Sequence, residues 1–308
     1  MADIRFDDRV AIVTGAGTGL GRSHALGLAA RGAKVVVNDL GVGRDGSGAS
    51  SAAAEAVVEE IKAMGGDAIA HGCDVSDEDG VTDMVAQAIA AWGRVDIVVN
   101  NAGILRDKTF SKMEMSDFRK VVDVHLIGSA NVAHACWPIM REQKYGRLVF
   151  TASASGLYGN FGQSNYGAAK AAMMGLMNVL HLEGARDNIR VNTLAPTAAT
   201  RMTEELLPAE AAALLAPETI TPGLLYLVSE DAPSRTILGA GAGSFALTKV
   251  YETPGITLLD DENTPEAIAA RFAEIAATEG QEELTDAFSQ TKKYALNAAK
   301  ARGLKLDW

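Results

Sequence analysis

Tyr166 and Lys170 stand four residues apart in "SNYGAAKAAMM" (164–174). On a helix that spacing sets two side chains on one face, about 5–6 Å apart. Their neighbours are Ala, Gly and Met, residues suited to close packing. A phenol is a weak acid with a pKa near 10, and an ammonium beside it favours the phenolate. The pair can therefore move a proton. It can also be a solvated pair with a packed ring, and only the rest of the chain separates the two readings.

Further groups gather around it. "TGAGTGLG" (14–21) follows the apolar run "RVAIVTG" (9–15) and opens a helical pattern. Gly15, Gly17, Gly19 and Gly21 let the backbone turn sharply beside a pyrophosphate, and a helix N-terminus adds N–H groups and a positive dipole end. The turn predicts dinucleotide contacts from Gly15, Thr18, Gly19 and Leu20. Asp39 ends the next apolar run, about twenty residues on, where a carboxylate accepts ribose hydroxyls and repels a 2′-phosphate. NAD is therefore expected over NADP. Asp39 can instead cap a turn, and Arg44 in the following loop could hold a 2′-phosphate. Asp74 and Val75 follow the third run, at the position for an adenine amino group. "NNAG" (100–103) carries Asn101, Ala102 and Gly103 to the same edge. Ser153 ends the fifth run, thirteen residues before Tyr166, and can orient a substrate oxygen.

Positioning these groups requires strands that end together. Short apolar runs at 9–15, 34–39, 67–75, 95–103, 146–153, 189–196 and within 235–252 alternate with helical patterns at 21–33, 51–64, 77–92, 115–143 and 166–187. That alternation predicts an α/β, doubly wound (Rossmann) fold: a seven-stranded parallel sheet with helices on both faces. Pro138 can bend the long helix. The Gly/Ser-rich stretch 41–51 reads as a loop, with a flexible linker as the plain alternative. Two helices near 264–278 and 282–302 form a C-terminal helical extension. The division expected is 1–252, dinucleotide-binding and catalytic, and 253–308, packed on the same domain.

Composition narrows the function. Of 308 residues, 48% are hydrophobic and 22% charged, as in soluble globular proteins. A net charge of -11 argues against nucleic acid as a partner. Cys73 and Cys136 form no C-x-x-C, so neither a disulfide framework nor a metal site is expected. His24, His71, His134 and His181 show no ligand spacing and read as structural. The N-terminus has no apolar leader, no uncharged apolar run reaches about 18 residues, and "KLDW" is no sorting signal, so a cytoplasmic protein without a membrane span is expected.

T-G-x-x-x-G-x-G at Thr14–Gly21, N-N-A-G at 100–103, Ser153, Y-x-x-x-K at 166–170 and Pro196 together resemble the short-chain dehydrogenase/reductase family, over about residues 8–250. The resemblance implies that Tyr166 is the acid/base and that Ser153 orients the substrate. Lys170 would tune the phenol and hold the nicotinamide ribose, with Pro196 and Thr200 among the cofactor contacts. One position departs from the pattern. The family commonly has Asn within V-N-L-x-G, and here "VHLIG" (124–128) puts His125 there. It is either a satisfied core histidine or the holder of a relay water. The family usually pairs the helix at 166–187 across a two-fold axis, and Ala168, Ala171, Ala172, Gly175 and Gly184 permit close approach. A homodimer or homotetramer is implied.

"VVVNDLG", "NNAGILRDKTF", "KYGRLVFTASASGLYGNFGQSNYGAAK" and "RMT" are similar to the dehydrogenase domain of the peroxisomal multifunctional enzymes of type 2. That likeness implies NAD-dependent oxidation of a (3R)-hydroxyacyl-CoA thioester, including a steroid side-chain acyl-CoA. The chain ends before any hydratase or sterol-carrier domain, so a stand-alone relative is expected. Two other functions stay open. One is a hydroxysteroid or other secondary-alcohol dehydrogenase. The other is a catalytically silent NAD-binding regulator, against which the intact Ser153–Tyr166–Lys170 set speaks.

Overall fold

The computed structural model describes residues 3–48, 50–199 and 208–308. Thr200 and the "RMT" stretch (201–203) lie outside them. The chain forms two compact units, Met1–Leu247 and Thr248–Trp308.

In the first unit, β1 (Val10–Thr14), α1 (Gly19–Ala29), β2 (Lys34–Asn38), α2 (Ala52–Ala63), β3 (Ala68–His71), α3 (Glu78–Trp92) and β4 (Ile97–Asn100) alternate in chain order. Then come α4 (Met115–Val122), α5 (Gly128–Gln143), β5 (Gly146–Thr151), α6 (Ala154–Tyr158), α7 (Ser164–Gly184) and β6 (Ile189–Pro196). The unit closes with α8 (Ala209–Leu214), α9 (Thr221–Leu227), β7 (Ile237–Gly241) and β8 (Ser244–Thr248), whose last residue opens the second unit.

The sheet runs β3-β2-β1-β4-β5-β6-β7-β8. Strand side chains alternate between its faces, and both faces are covered. Ala11 and Val13 of β1 join Leu28, Val57, Ile61 and Leu224 from α1, α2 and α9. Val10 and Ile12 join Met84, Val132, Met140 and Met173 from α3, α5 and α7. Continuous apolar strands are what burial on both faces demands. β1 pairs in parallel with both β2 and β4, so the strand order reverses there. At such a switch point the loops part and leave a crevice at the carboxyl ends.

Three features differ from the sequence expectation. The seventh run is two strands. Ala242 (φ 50°) and Gly243 (φ 72°) make a two-residue turn of the kind that joins antiparallel strands, so β8 becomes an eighth, edge strand. The long helix at 115–143 is interrupted by a wide π turn, Asp123–Ile127, centred on His125, while Pro138 lies inside α5. The Gly/Ser-rich stretch is no free linker. Its Arg44 carbonyl accepts from the Leu105 N–H (2.9 Å) and its Asp45 carbonyl from Arg106 Nε (2.9 Å). Arg106 Nη1 in turn meets Asp117 of α4 at 2.8 Å.

The second unit holds α10 (Pro265–Ala270), α11 (Phe272–Ile275) and α12 (Ala287–Ala301). Asp286 caps α12 by accepting from the Ser289 N–H at 2.8 Å, and Lys293 Nζ meets Glu252 at 2.9 Å. Among the described residues no helix is long and apolar enough to cross a membrane.

Candidate active site

The carboxyl ends of the strands open on a cavity of about 420 Å³. Gly15, Thr18, Gly19 and Leu20 line it from the turn after β1, and Asp39 from the end of β2. Asp74 and Val75 reach it from beyond β3, and Asn101, Ala102 and Gly103 from beyond β4. Ser153, Tyr166, Lys170, His125 and Pro196 complete its wall. One cavity thus gathers every candidate residue except Thr200, which is outside the described residues.

The Gly-rich turn is braced from beneath. Asn101 Nδ2 donates to the carbonyls of Thr14 (3.1 Å) and Gly15 (3.0 Å), and Thr14 Oγ1 accepts from the N–H groups of Asn101 (3.0 Å) and Ala102 (3.1 Å). Gly15 adopts φ 62°, and a Cβ on Gly21 would stand 2.1 Å from the Gly15 carbonyl oxygen. Side chains are excluded from the place where the backbone must approach a ligand. Thr18, the N-cap of α1, makes no side-chain cap bond, and the first turn carries no acid. Its N–H groups and dipole end suit an anion, so the residues present fit a dinucleotide pyrophosphate.

Asp39 serves the turn and also faces the cavity. Oδ2 accepts from the Gly17 N–H and Oδ1 from the Gly41 N–H, each at 2.7 Å, so the carboxylate caps the turn while it lines the cavity. Each oxygen keeps a lone pair for another donor. Asp74 accepts from the Ser76 N–H (2.9 Å) and Oγ (2.7 Å) and meets Lys120 Nζ at 3.3 Å. Burial alone would raise its carboxyl, but these partners outweigh burial and hold it below the usual range.

Ser153 caps α6, accepting from the Ser155 N–H at 3.2 Å, and lines the cavity with Tyr166. Lys170 Nζ lies 5.6 Å from the Tyr166 ring centre and donates to the Thr151 carbonyl at 2.6 Å. One electrostatic expectation needs correction. With the protein groups alone, the Tyr166 phenol is not brought down. Burial raises it, the Ser153 hydroxyl opposes that, and the Asp107 charge adds to the rise. Lys170 gives way instead, because burial takes its ammonium down to about 7.

His125 meets Tyr166 edge-on, with ring centres 5.2 Å apart. Its Nε2 lies 3.1 Å from the Ile104 nitrogen and 2.9 Å from the Ile104 oxygen, and the tautomer decides which bond forms. Its buried Nδ1 has no partner among the described residues. The core-histidine reading therefore holds at one nitrogen only. Burial, then the Lys170 charge, push the imidazole down to about 3, against the opposing hydrogen bond to the Ile104 backbone. At neutral pH it is uncharged and a very weak base. The ring also explains Gly103, where a Cβ would stand 2.2 Å from His125 Cε1.

The remaining histidines are engaged elsewhere or exposed. His24 Nδ1 meets Thr221 (2.9 Å), His71 meets Asp83 (3.0 Å), His181 meets Ser234 (2.8 Å), and His134 is exposed. Among the described residues no three His, Cys, Asp or Glu side chains gather as metal ligands do. Sequence reasoning missed Asp107, Thr151 and Gln163. Their only signal was nearness: Gln163 stands three residues before Tyr166, and Thr151 two before Ser153.

The profile of the short chain dehydrogenase family matches residues 9–211. The sequence is similar to a short-chain type dehydrogenase/reductase of Mycobacterium tuberculosis, 49% identical over 274 residues, which cover 89% of this chain and 96% of that one. The structure is similar to that of full-length peroxisomal multifunctional enzyme type 2 from Drosophila melanogaster, with a TM-score of 0.80 and 37% identity over 97% of this chain and 50% of that one. It is also similar to a 7α-hydroxysteroid dehydrogenase complexed with NADH and 7-oxo glycochenodeoxycholic acid, with a TM-score of 0.71 and 31% identity over 79% of this chain and 98% of that one. The chain spans 30% to 61% of the length of the peroxisomal hydratase-dehydrogenase-epimerase and multifunctional relatives it matches.

Proposed function

The chain belongs to the short chain dehydrogenase family and is an oxidoreductase, and on that premise we propose that it oxidises a (3R)-hydroxyacyl-CoA thioester with NAD. The observation that carries the reading is that Ser153, Tyr166 and Lys170, with Lys170 Nζ 5.6 Å from the phenol ring, line the cavity that the Gly-rich turn also lines. Bound NAD would supply the carbon that accepts hydride. The α1 N-terminus would hold its pyrophosphate, Asp39 a ribose, Asp74 and Val75 the adenine, and Lys170 the second ribose. Asn101, Ala102, Gly103 and Pro196 would wall the nicotinamide end. Ser153 Oγ would hydrogen-bond the substrate hydroxyl oxygen. Tyr166 would take the hydroxyl proton as the C–H bond gives up its hydride, leaving a ketone. Lys170 would stabilise the phenolate that accepts that proton. His125, neutral, would hold a relay water at Nδ1 and not act as the base.

The likeness to the multifunctional enzymes supports the thioester, and Asp39 supports NAD. A second reading, hydroxysteroid oxidation, is favoured by the neighbour bound to NADH and a bile-acid ketone. A panel of CoA thioesters and free steroids, each with NAD and NADP, tests both. We expect kcat/KM at least ~10-fold higher with NAD, about 1.4 kcal/mol of charge repulsion. The variant Asp39→Asn keeps one acceptor, loses the charge, and should narrow that preference. Equal use of NADP by the wild type would refute the assignment and turn attention to Arg44.

The reading extends to assembly. Ala168, Gly175, Val179 and Leu182 are exposed along one face of α7, a row that a second copy would cover. Light scattering at micromolar concentration should give at least a dimer, and a monomer would overturn this part.

A further inference from the structure

Resting on the reading of Tyr166 as the base, we propose that Gln163 is a positioning residue. With Asp107 it forms a clasp that ties together the two loops at the cavity mouth, and so fixes Tyr166 against Ser153. One loop is the stretch 104–109 after β4. The other is 159–163, which bends at Gly159 and Gly162 (each φ 83°) before α7. The Lys108 N–H donates to the Gly162 carbonyl at 2.9 Å. Gln163 uses both ends of its amide across this junction. Nε2 donates to Asp107 Oδ2 at 2.7 Å, while Oε1 accepts from Ser155 Oγ at 2.7 Å and Asn160 Nδ2 at 3.0 Å. Gln163 is the N-cap of α7, yet its side chain makes no cap bond. It is committed to the clasp. Asn165, fully buried, adds a second tie by donating to the Arg106 carbonyl at 2.9 Å.

The clasp reaches both reacting side chains. Ser155 lies one residue into α6, which Ser153 caps, and Tyr166 lies in the first turn of α7. One amide therefore spans the two helices that carry Ser153 and Tyr166, and it anchors the loop that carries Asp107. Misplacing a reacting group by about 1 Å can cost 10²-fold. The charged or titratable groups facing Tyr166 are Lys170 from α7, His125 from the π turn and Asp107 from the clasped loop. The clasp thus also sets how close a carboxylate charge stands to the phenol.

Only a side chain with a donor and an acceptor meets both sets of partners. The proposal is therefore testable by exchange. Gln163→Glu keeps the acceptor for Ser155 and Asn160 but sets a carboxylate against Asp107. We expect kcat to fall at least ~10-fold, KM for the nucleotide to change little, and hydrogen exchange at the Lys108 amide to accelerate. Adding Asp107→Asn to that variant puts the donor on the other side. It should restore kcat to within about threefold of Asp107→Asn alone and return the slow Lys108 exchange. Asp107→Asn by itself should move the phenol's titration to lower pH, since it removes a like charge. That shift is read by ultraviolet difference titration against Tyr166→Phe, without turnover. A double variant as slow and as fast-exchanging as Gln163→Glu would overturn the clasp. So would an unshifted phenol titration in Asp107→Asn. Exchange and titration need no substrate. They decide the clasp even if the wild type oxidises none of the alcohols tried, which would refute only the functional reading.

Discussion

Replacing Tyr166 by Phe should lower kcat at least ~100-fold and leave NADH binding within about threefold. The substitution keeps the ring, its edge contact with His125 and the packing of α7. It removes the hydroxyl alone. General acid–base catalysis contributes typically 10²–10⁴-fold, so the loss falls on kcat. The neighbouring imidazole does not take the place of the hydroxyl. His125 is the nearest candidate, and an imidazole pushed down to about 3 is too weak a base to accept it at neutral pH. Turnover is followed by NADH absorbance and binding by NADH fluorescence. A Phe variant with near-normal kcat would place the base elsewhere.

The sequence revealed the site better than it revealed the shape of the site. Strands buried on both faces are written as unbroken apolar runs, so "KVVVN" and "RLVF" could be placed without help from tertiary contacts. Glycine at 15, 19 and 21 marks close backbone approach, which is a local demand. Three things were hidden for physical reasons. The π turn at Asp123–Ile127 preserves the apolar face of the helix on either side, so the pattern of 115–143 runs through it without a break. The β7–β8 turn sits in "GAGAGS", where Ala242 occupies a left-handed position that composition does not announce. The Gln163–Asp107 clasp joins residues 56 apart, and no local rule links them. Electrostatics was the largest surprise. A Tyr and a Lys four apart predict mutual stabilisation. Burial, which the sequence does not state, works against both charges.

That burial leads to the last expected result. Lys170 is 4% exposed, its ammonium is taken down to about 7, and the Tyr166 phenol is pushed above its ordinary value near 10. Two groups in one site titrate as a pair. Below about 7 the pair holds two protons, and above it one. The single remaining proton can sit on either group, and the arrangement with ammonium and phenolate is the one able to accept a proton from an alcohol. Alcohol oxidation needs that form, so its rate should rise with pH through about 7 and then level. Lys170→Met keeps the length of the side chain and removes the charge. Tyr166 then titrates alone, above 10. The ammonium that favours the phenolate is then gone, so kcat/KM at pH 7 should fall at least ~10-fold. The deficit should shrink steadily as the pH approaches 10. Thr151 loses its donor, which costs about 1–3 kcal/mol of stability, so the comparison belongs well below the melting temperature. Tyr166→Phe offers the control, because there the limb should vanish and not move. A limb still near 7 in Lys170→Met would assign that ionisation to another group and dissolve the pair.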